Sequence, residues 1–180
     1  MSLTPEIQGT VQIRSEPATF LQAFRRRVGA GLLSDQPHPR SNYAATLTRP
    51  DRLQVRAADW ATAINVGLNE VDLGLPQRGS VRYQVRYWRW ASFVLGLGAV
   101  FGAIGLVLLL TFDVPRYIAR HPERMIPGLT AHQGLLLAWA MVVFWGFVWP
   151  WILIALHKPP LRRLMTRLIT EVDASGTGTQ

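Results

Sequence analysis

The chain has 180 residues, no cysteine and a formal net charge of +8. That length allows one small domain plus a short membrane segment, and the missing cysteine excludes disulfides, thiol chemistry and cysteine-ligated metals. Hydrophobic residues make up 49% of the chain, and their excess is concentrated in two runs, 91–112 and 134–156.

Residues 1–16 are polar and lack the apolar core of a cleavable signal peptide. They are expected to form an irregular N-terminal lead, leaving the first apolar run to act as the insertion signal. From 17 to 33 the pattern is helical, with Phe20, Leu21, Phe24, Val28 and Leu32 near one face and Arg25, Arg26 and Arg27 toward the other. This helix either packs on the domain that follows or lies on a membrane surface with its arginines at the headgroups. Residues 34–41 read as a loop.

Alternation follows. Tyr43, Ala45 and Leu47 share one strand face, Leu53, Val55 and Ala57 the next, and Arg49-Pro50-Asp51 between them makes a β-hairpin. Ile64, Val66 and Leu68 predict another strand, then Val71, Leu73 and Leu75 alternate in the opposite phase. The phase break at Asn69-Glu70 predicts a bulge or a tight turn. The clearest strand places Val81, Tyr83, Val85 and Tyr87 on one face and Arg82, Gln84, Arg86 and Trp88 on the other. Residues 17–90 are thus expected to be a cytoplasmic α+β domain: one helix and four or five antiparallel strands, the last running straight into the first apolar run.

Both apolar runs lack Asp, Glu, Lys, Arg and His, and each is long enough to cross the roughly 30 Å hydrocarbon core of a bilayer. Only 113–133 separates them, so a two-helix transmembrane hairpin with a short external loop is expected. Basic residues crowd its outer flanks: Arg82, Arg86 and Arg89 before the first run, Lys158, Arg162 and Arg163 after the second. The positive-inside rule then puts both termini in the cytoplasm. Gly98, Gly102 and Gly105 line one face of the first helix and suit close helix–helix contact, either within the hairpin or with another chain. In the second helix Trp145 and Trp149 lie four residues apart, suited to the same contacts or to a bound pigment, quinone or lipid, and Pro150 is expected to kink the end. Trp88 and Trp90 match Trp149 and Trp151 as an aromatic belt, so Trp88, Arg89, Trp90, Trp151, Lys158, Arg162, Arg163 and Arg167 are the expected lipid-interface residues.

His157-Lys158-Pro159-Pro160 is expected to stop the second helix. Leu161, Leu164, Met165, Leu168, Ile169 and Val172 then form an apolar stripe over 157–173. It suits an amphipathic helix on the membrane interface, or one covering the β-domain. Residues 174–180 read as a disordered tail.

No phosphate-binding glycine loop, metalloprotease or nucleophile-elbow motif is present. His121 and His132 have no standard metal-ligand spacing and no carboxylate pair to complete a site, so neither a metal nor any other cofactor is expected. Asn65, Asn69 and Glu70 interrupt a strand pair; a turn explains them, and a polar ligand site is the sharper reading. Acids are interspersed with the arginines and no helix-turn-helix pattern occurs, so nucleic acid is not an expected partner. An anionic lipid surface and other membrane subunits, or a second copy, are. The pattern predicts a non-enzymatic accessory, scaffold or anchoring subunit. The alternatives are an anionic-lipid sensor working through Arg82 and Arg86, or a small enzyme using Asp59, Glu70 or Asp72. Lys158 is the sole lysine, and the preference for arginine suits a bacterial plasma-membrane protein.

Overall fold

The computed structural model describes residues 4–32, 43–77, 79–121 and 128–177. The loop expected at 34–41 lies outside the described residues. The chain divides into two compact units: Met1–Ala91 with Leu156–Gln180, and Ser92–Ala155.

The first unit is built on a five-stranded antiparallel sheet. Its strands are β1 (Glu6–Gln12), β2 (Tyr43–Arg49), β3 (Arg52–Ala57), β4 (Glu70–Gln77) and β5 (Ser80–Arg86), in the spatial order β1-β5-β4-β3-β2. Side chains alternate between the faces. One face is a continuous apolar row in which Ile7, Val85, Val71 and Val55 stand side by side across four strands, all buried. Leu53, Leu73 and Tyr83 make the next row. The first strand corrects the expected irregular lead over 1–16. Its alternation is broken by Gly9, and that glycine is required, because a Cβ there would overlap the ring of Tyr83 on β5.

Two helices cover the apolar face. Helix α1 (Pro17–Ala30) buries Phe20, Leu21, Phe24 and Val28 beside β2 and β3. It ends at Gly31, short of the expected 33. Helix α7 (Lys158–Thr177) lies beside α1 and β1, and its stripe of Leu161, Met165, Leu168, Ile169 and Val172 is buried. Burying each such side chain contributes about 1.5–3 kcal/mol. The stripe therefore completes the domain core: of the two placements expected for 157–173, the structure shows the stripe covering the sheet domain. Pro159 and Pro160 fall in the first turn of α7, where their missing N–H groups cost nothing. The helix also continues past the expected end at 173, through residues read as disordered tail, to Thr177.

Asp173 on α7 fastens this layer to the start of the chain. Its carboxylate accepts from the Ser15 hydroxyl (2.6 Å), the Ser15 N–H (2.9 Å) and the Arg14 N–H (2.9 Å), just before α1 begins. Burial disfavours its charged form, but these donors outweigh burial and hold the carboxyl below the usual carboxylate range.

The strand expected around Ile64, Val66 and Leu68 is a short helix, α2 (Trp60–Val66). Asp59 caps its start by accepting from the Thr62 N–H (2.6 Å), and Gly67 ends it in the left-handed conformation at φ 76°. The caps decide the structure over a two-residue alternation that fits only three residues.

The second unit is a pair of antiparallel helical segments. Helix α3 (Trp88–Thr111) runs without a break out of the first unit. After α4 (Val114–Arg120), the return is α5 (Ala131–Val143), a π-helical turn (Phe144–Val148) and α6 (Trp149–Leu156). Alpha-5 starts three residues before the expected 134 because Thr130 and Gln133 form a reciprocal capping box. Helix α3 and the helical stretch that begins at Ala131 are long and apolar enough to cross a membrane. The wide turn sits just before Pro150: the Trp149 N–H bonds the Phe144 carbonyl five residues back, and Pro150 has no N–H to offer.

Candidate functional site

The residues singled out in the sequence fall into four places. The first is where β5 ends and α3 begins. Only Tyr87 separates the two elements. Tyr87 is fully buried, and burial pushes its phenol up to about 12. The first N–H groups of α3 need acceptors, and Asn69 supplies one. With its amide oxygen assigned toward these donors, Asn69 accepts from the Trp88 N–H (3.2 Å) and the Arg89 N–H (2.5 Å). Asn69 is buried, and its own backbone extends the central strand β4 by bonding Ala57 on one side and Arg86 on the other. It is a fastening between the loop after α2 and the start of α3.

Around this cap sits an aromatic cluster. Trp60 opens α2 and Trp88 opens α3, and their rings meet edge to face at 5.8 Å. The Arg89 guanidinium lies over both, 5.5 Å from Trp60 and 5.4 Å from Trp88. The two tryptophans remain 51% and 45% exposed, so the cluster is a surface platform of indole rings carrying a fixed cation. The Thr62 N–H holds the neighbouring Asp59 carboxyl below its usual range, with Arg89 adding to the effect. Trp60 is the residue sequence reasoning missed: its helix was read as a strand, so nothing linked it to a tryptophan 28 positions on.

Trp90, expected at the lipid interface, turns to other partners. It stacks on His157 at 4.0 Å with the planes 10° apart, and Tyr87 packs edge-on against both rings. Gly67 closes the stack, since a Cβ there would overlap the imidazole. Of the other expected interface residues, Trp151, Arg162, Arg163 and Arg167 are exposed and Lys158 is half-buried. Arg167 pairs with Glu171 one turn on, at 2.6 Å.

The second place is the glycine face of α3. Gly98 faces Pro150, Gly102 faces Gly146 and Gly105 faces Val142. A Cβ on Gly102 would stand 3.0 Å from the Gly146 Cα, and one on Gly146 would stand 2.7 Å from the Gly102 Cα. The glycines meet the returning segment of the same hairpin, and the closest approach is to Gly146. Trp145 is 46% exposed. It meets Trp149 at 5.1 Å, and the two rings line an apolar cleft of about 470 Å³ with Gly98, Phe101 and Met141.

The third place is the outer face of the sheet. Glu70 joins Arg56 (3.0 Å) and Arg86 (3.1 Å) and accepts from Gln54 (2.7 Å). Gln54 also reaches Asp72 (3.2 Å). The fourth is Asn65, exposed on α2. Asn65, Asn69 and Glu70 therefore do not converge: one faces solvent, one caps a helix and one balances two arginines. Among the described residues no three His, Asp or Glu side chains gather as metal ligands.

Comparison with protein-family models, with curated proteins and with solved structures gives no match.

Proposed function

We propose that this protein is a two-pass membrane protein that acts by positioning: an accessory or scaffold subunit whose hairpin anchors an α+β domain. The observation that carries this reading is the start of α3. A 24-residue apolar helix begins one residue after a sheet strand, its first N–H groups are capped by Asn69 from the domain core, and Trp60, Trp88 and Arg89 surround its start. Exposed indole rings beside a cation are the side chains that settle at a bilayer interface. An anchored domain of this kind suits a subunit that presents a surface to neighbours.

The basic flanks favour cytoplasmic termini, and the arginine preference favours a bacterial plasma membrane. Supporting a structural role, Asp59 is used as a helix cap, and Glu70 and Asp72 belong to the charge lattice of the sheet. The lipid-sensing alternative has to do without a free Arg86, which Glu70 already holds.

The test is purification from native membranes in gentle detergent, followed by mass spectrometry of what remains bound. Stoichiometric membrane subunits, or a stable oligomer of this chain, are the expected result. A strictly monomeric protein with no partner would overturn the scaffold reading.

A further inference from the structure

The outer face of the sheet contains a cleft of about 480 Å³ floored by a glycine. The cleft is lined by Arg52, Asp72, Gly74, Arg82 and Arg86, with Asp51 at its end. Gly74 lies in the body of β4, opposite Arg52 on β3 and Arg82 on β5. Its backbone is not in the left-handed region, and a Cβ built on it meets nothing within 4 Å. The β4–β5 register shifts between Gly74 and Gln77, so Gly74 borders an irregularity in the strand, and its missing side chain leaves the floor of the cleft open. Glycine inside a strand marks a bulge or leaves room for the close approach of a ligand, and here the irregularity and the open floor coincide.

The charges around this open floor are divided unevenly. Arg56 and Arg86 are held by Glu70, and Arg86 also faces Asp72 at 3.9 Å. Arg52 and Arg82 have no carboxylate partner among the described residues; Arg82 reaches only the amide of Gln8, at 3.4 Å. Two strand spacings put their backbones about 10 Å apart, so two long side chains can close on a group placed over Gly74. The guanidinium fork matches phosphoryl oxygens two at a time. Asp51 and Asp72 also border the cleft, against Arg52, Arg82 and Arg86. That balance of one positive charge suits a single phosphoryl group and disfavours a polyanion.

We propose that Arg52 and Arg82 form an anion site over Gly74 that takes one phosphoryl group, from a lipid headgroup or from a small soluble phosphate. The site uses residues outside the anchor and stands whether or not the scaffold reading holds.

The full chain would be placed in nanodiscs of phosphatidylcholine and titrated with inorganic phosphate by calorimetry. In parallel, nanodiscs containing phosphatidylglycerol would be analysed by native mass spectrometry for retained lipid. Saturable phosphate binding assigns the site to soluble phosphates; retained phosphatidylglycerol without it assigns the site to headgroups. In either arm Arg52→Ala and Arg82→Ala should each weaken binding about tenfold or more, as expected for loss of a bidentate charged contact. Gly74→Val should abolish it by filling the floor, and Arg56→Ala, on the same face but outside the cleft, should leave it unchanged. Circular dichroism checks that each variant folds, and the arginine variants decide the matter if Gly74→Val does not. Absence of binding in both arms, or equal binding by wild type and both arginine variants, would overturn the proposal.

Discussion

The sheet-and-helix unit and the helical hairpin are both rich in large apolar side chains, and they use them in opposite ways. In the first unit Phe20, Leu53, Met165 and Ile169 are fully buried. In the hairpin Phe101, Leu110 and Phe147 are each at least 60% exposed, and the helices meet through glycine and proline. A water-soluble domain gains stability by removing apolar side chains from solvent. Between helices in hydrocarbon that gain vanishes, and close backbone packing replaces it. The inverted pattern is the surface expected if hydrocarbon, not water, surrounds the second unit.

The largest effect is expected where an apolar stripe could belong to either environment. Ile169→Asp should destabilise the first unit by about 4 kcal/mol or more, because it leaves an unpaired charge in the core. A denaturant melt followed by circular dichroism reads this; an unchanged melt with weakened membrane attachment would return α7 to the bilayer surface. Asp173→Ala should cost about 2–3 kcal/mol, since it strips charged acceptors from Ser15 and Arg14. The same group gives a pH signature. Its pKa is lowered in the folded state, so its contribution is complete above the unfolded value of about 3.9 and is lost as pH falls through the lower folded value. Asp173→Asn should flatten that part of the acid limb in a melt series.

Gly146→Leu should open the hairpin at a cost of about 1–3 kcal/mol, read as a longer distance between spin labels on α3 and α6, while the melt of the first unit stays put. Equal destabilisation of both units would erase the contrast between them. Asn69→Ala should cost about 1 kcal/mol, the usual value of a lost helix cap, and should speed hydrogen exchange at the Trp88 and Arg89 amides. The smallest effect is Arg167→Ala, below about 0.5 kcal/mol, because its pairing with Glu171 is an exposed one between neighbouring turns.

Much of this fold was legible in the sequence where a period persists. The two apolar runs, the alternation from Val81 to Tyr87 and the stripe from Leu161 to Val172 all correspond to observed elements. Short or interrupted patterns were not. Gly9 breaks the first strand because Tyr83 occupies its side-chain space, a fact held by a residue 74 positions away. Asp59 and Gly67 frame a helix too short for its period to outweigh the alternation of Ile64, Val66 and Leu68. The stripe of α7 announces burial without saying against what, since a sheet and a bilayer ask for the same pattern. Trp88 and Arg89 could be picked out beside the apolar run, whereas Trp60 and Asn69 acquire their roles only when the loop after α2 folds back on α3. The glycines of α3 were readable as a contact face, and their partner Gly146 was hidden among larger aromatic neighbours.

The proposed two-pass anchor puts residues 12 and 163 on one side of the membrane and residue 132 on the other. Because the chain has no cysteine, single cysteines can be introduced as reporters at exposed positions: Gln12→Cys, His132→Cys and Arg163→Cys. Intact cells would be treated with a membrane-impermeant maleimide, then permeabilised and treated again. Labelling at 132 in intact cells, with 12 and 163 labelled only after permeabilisation, is expected. Labelling of 12 or 163 in intact cells, or protection of all three, would contradict it.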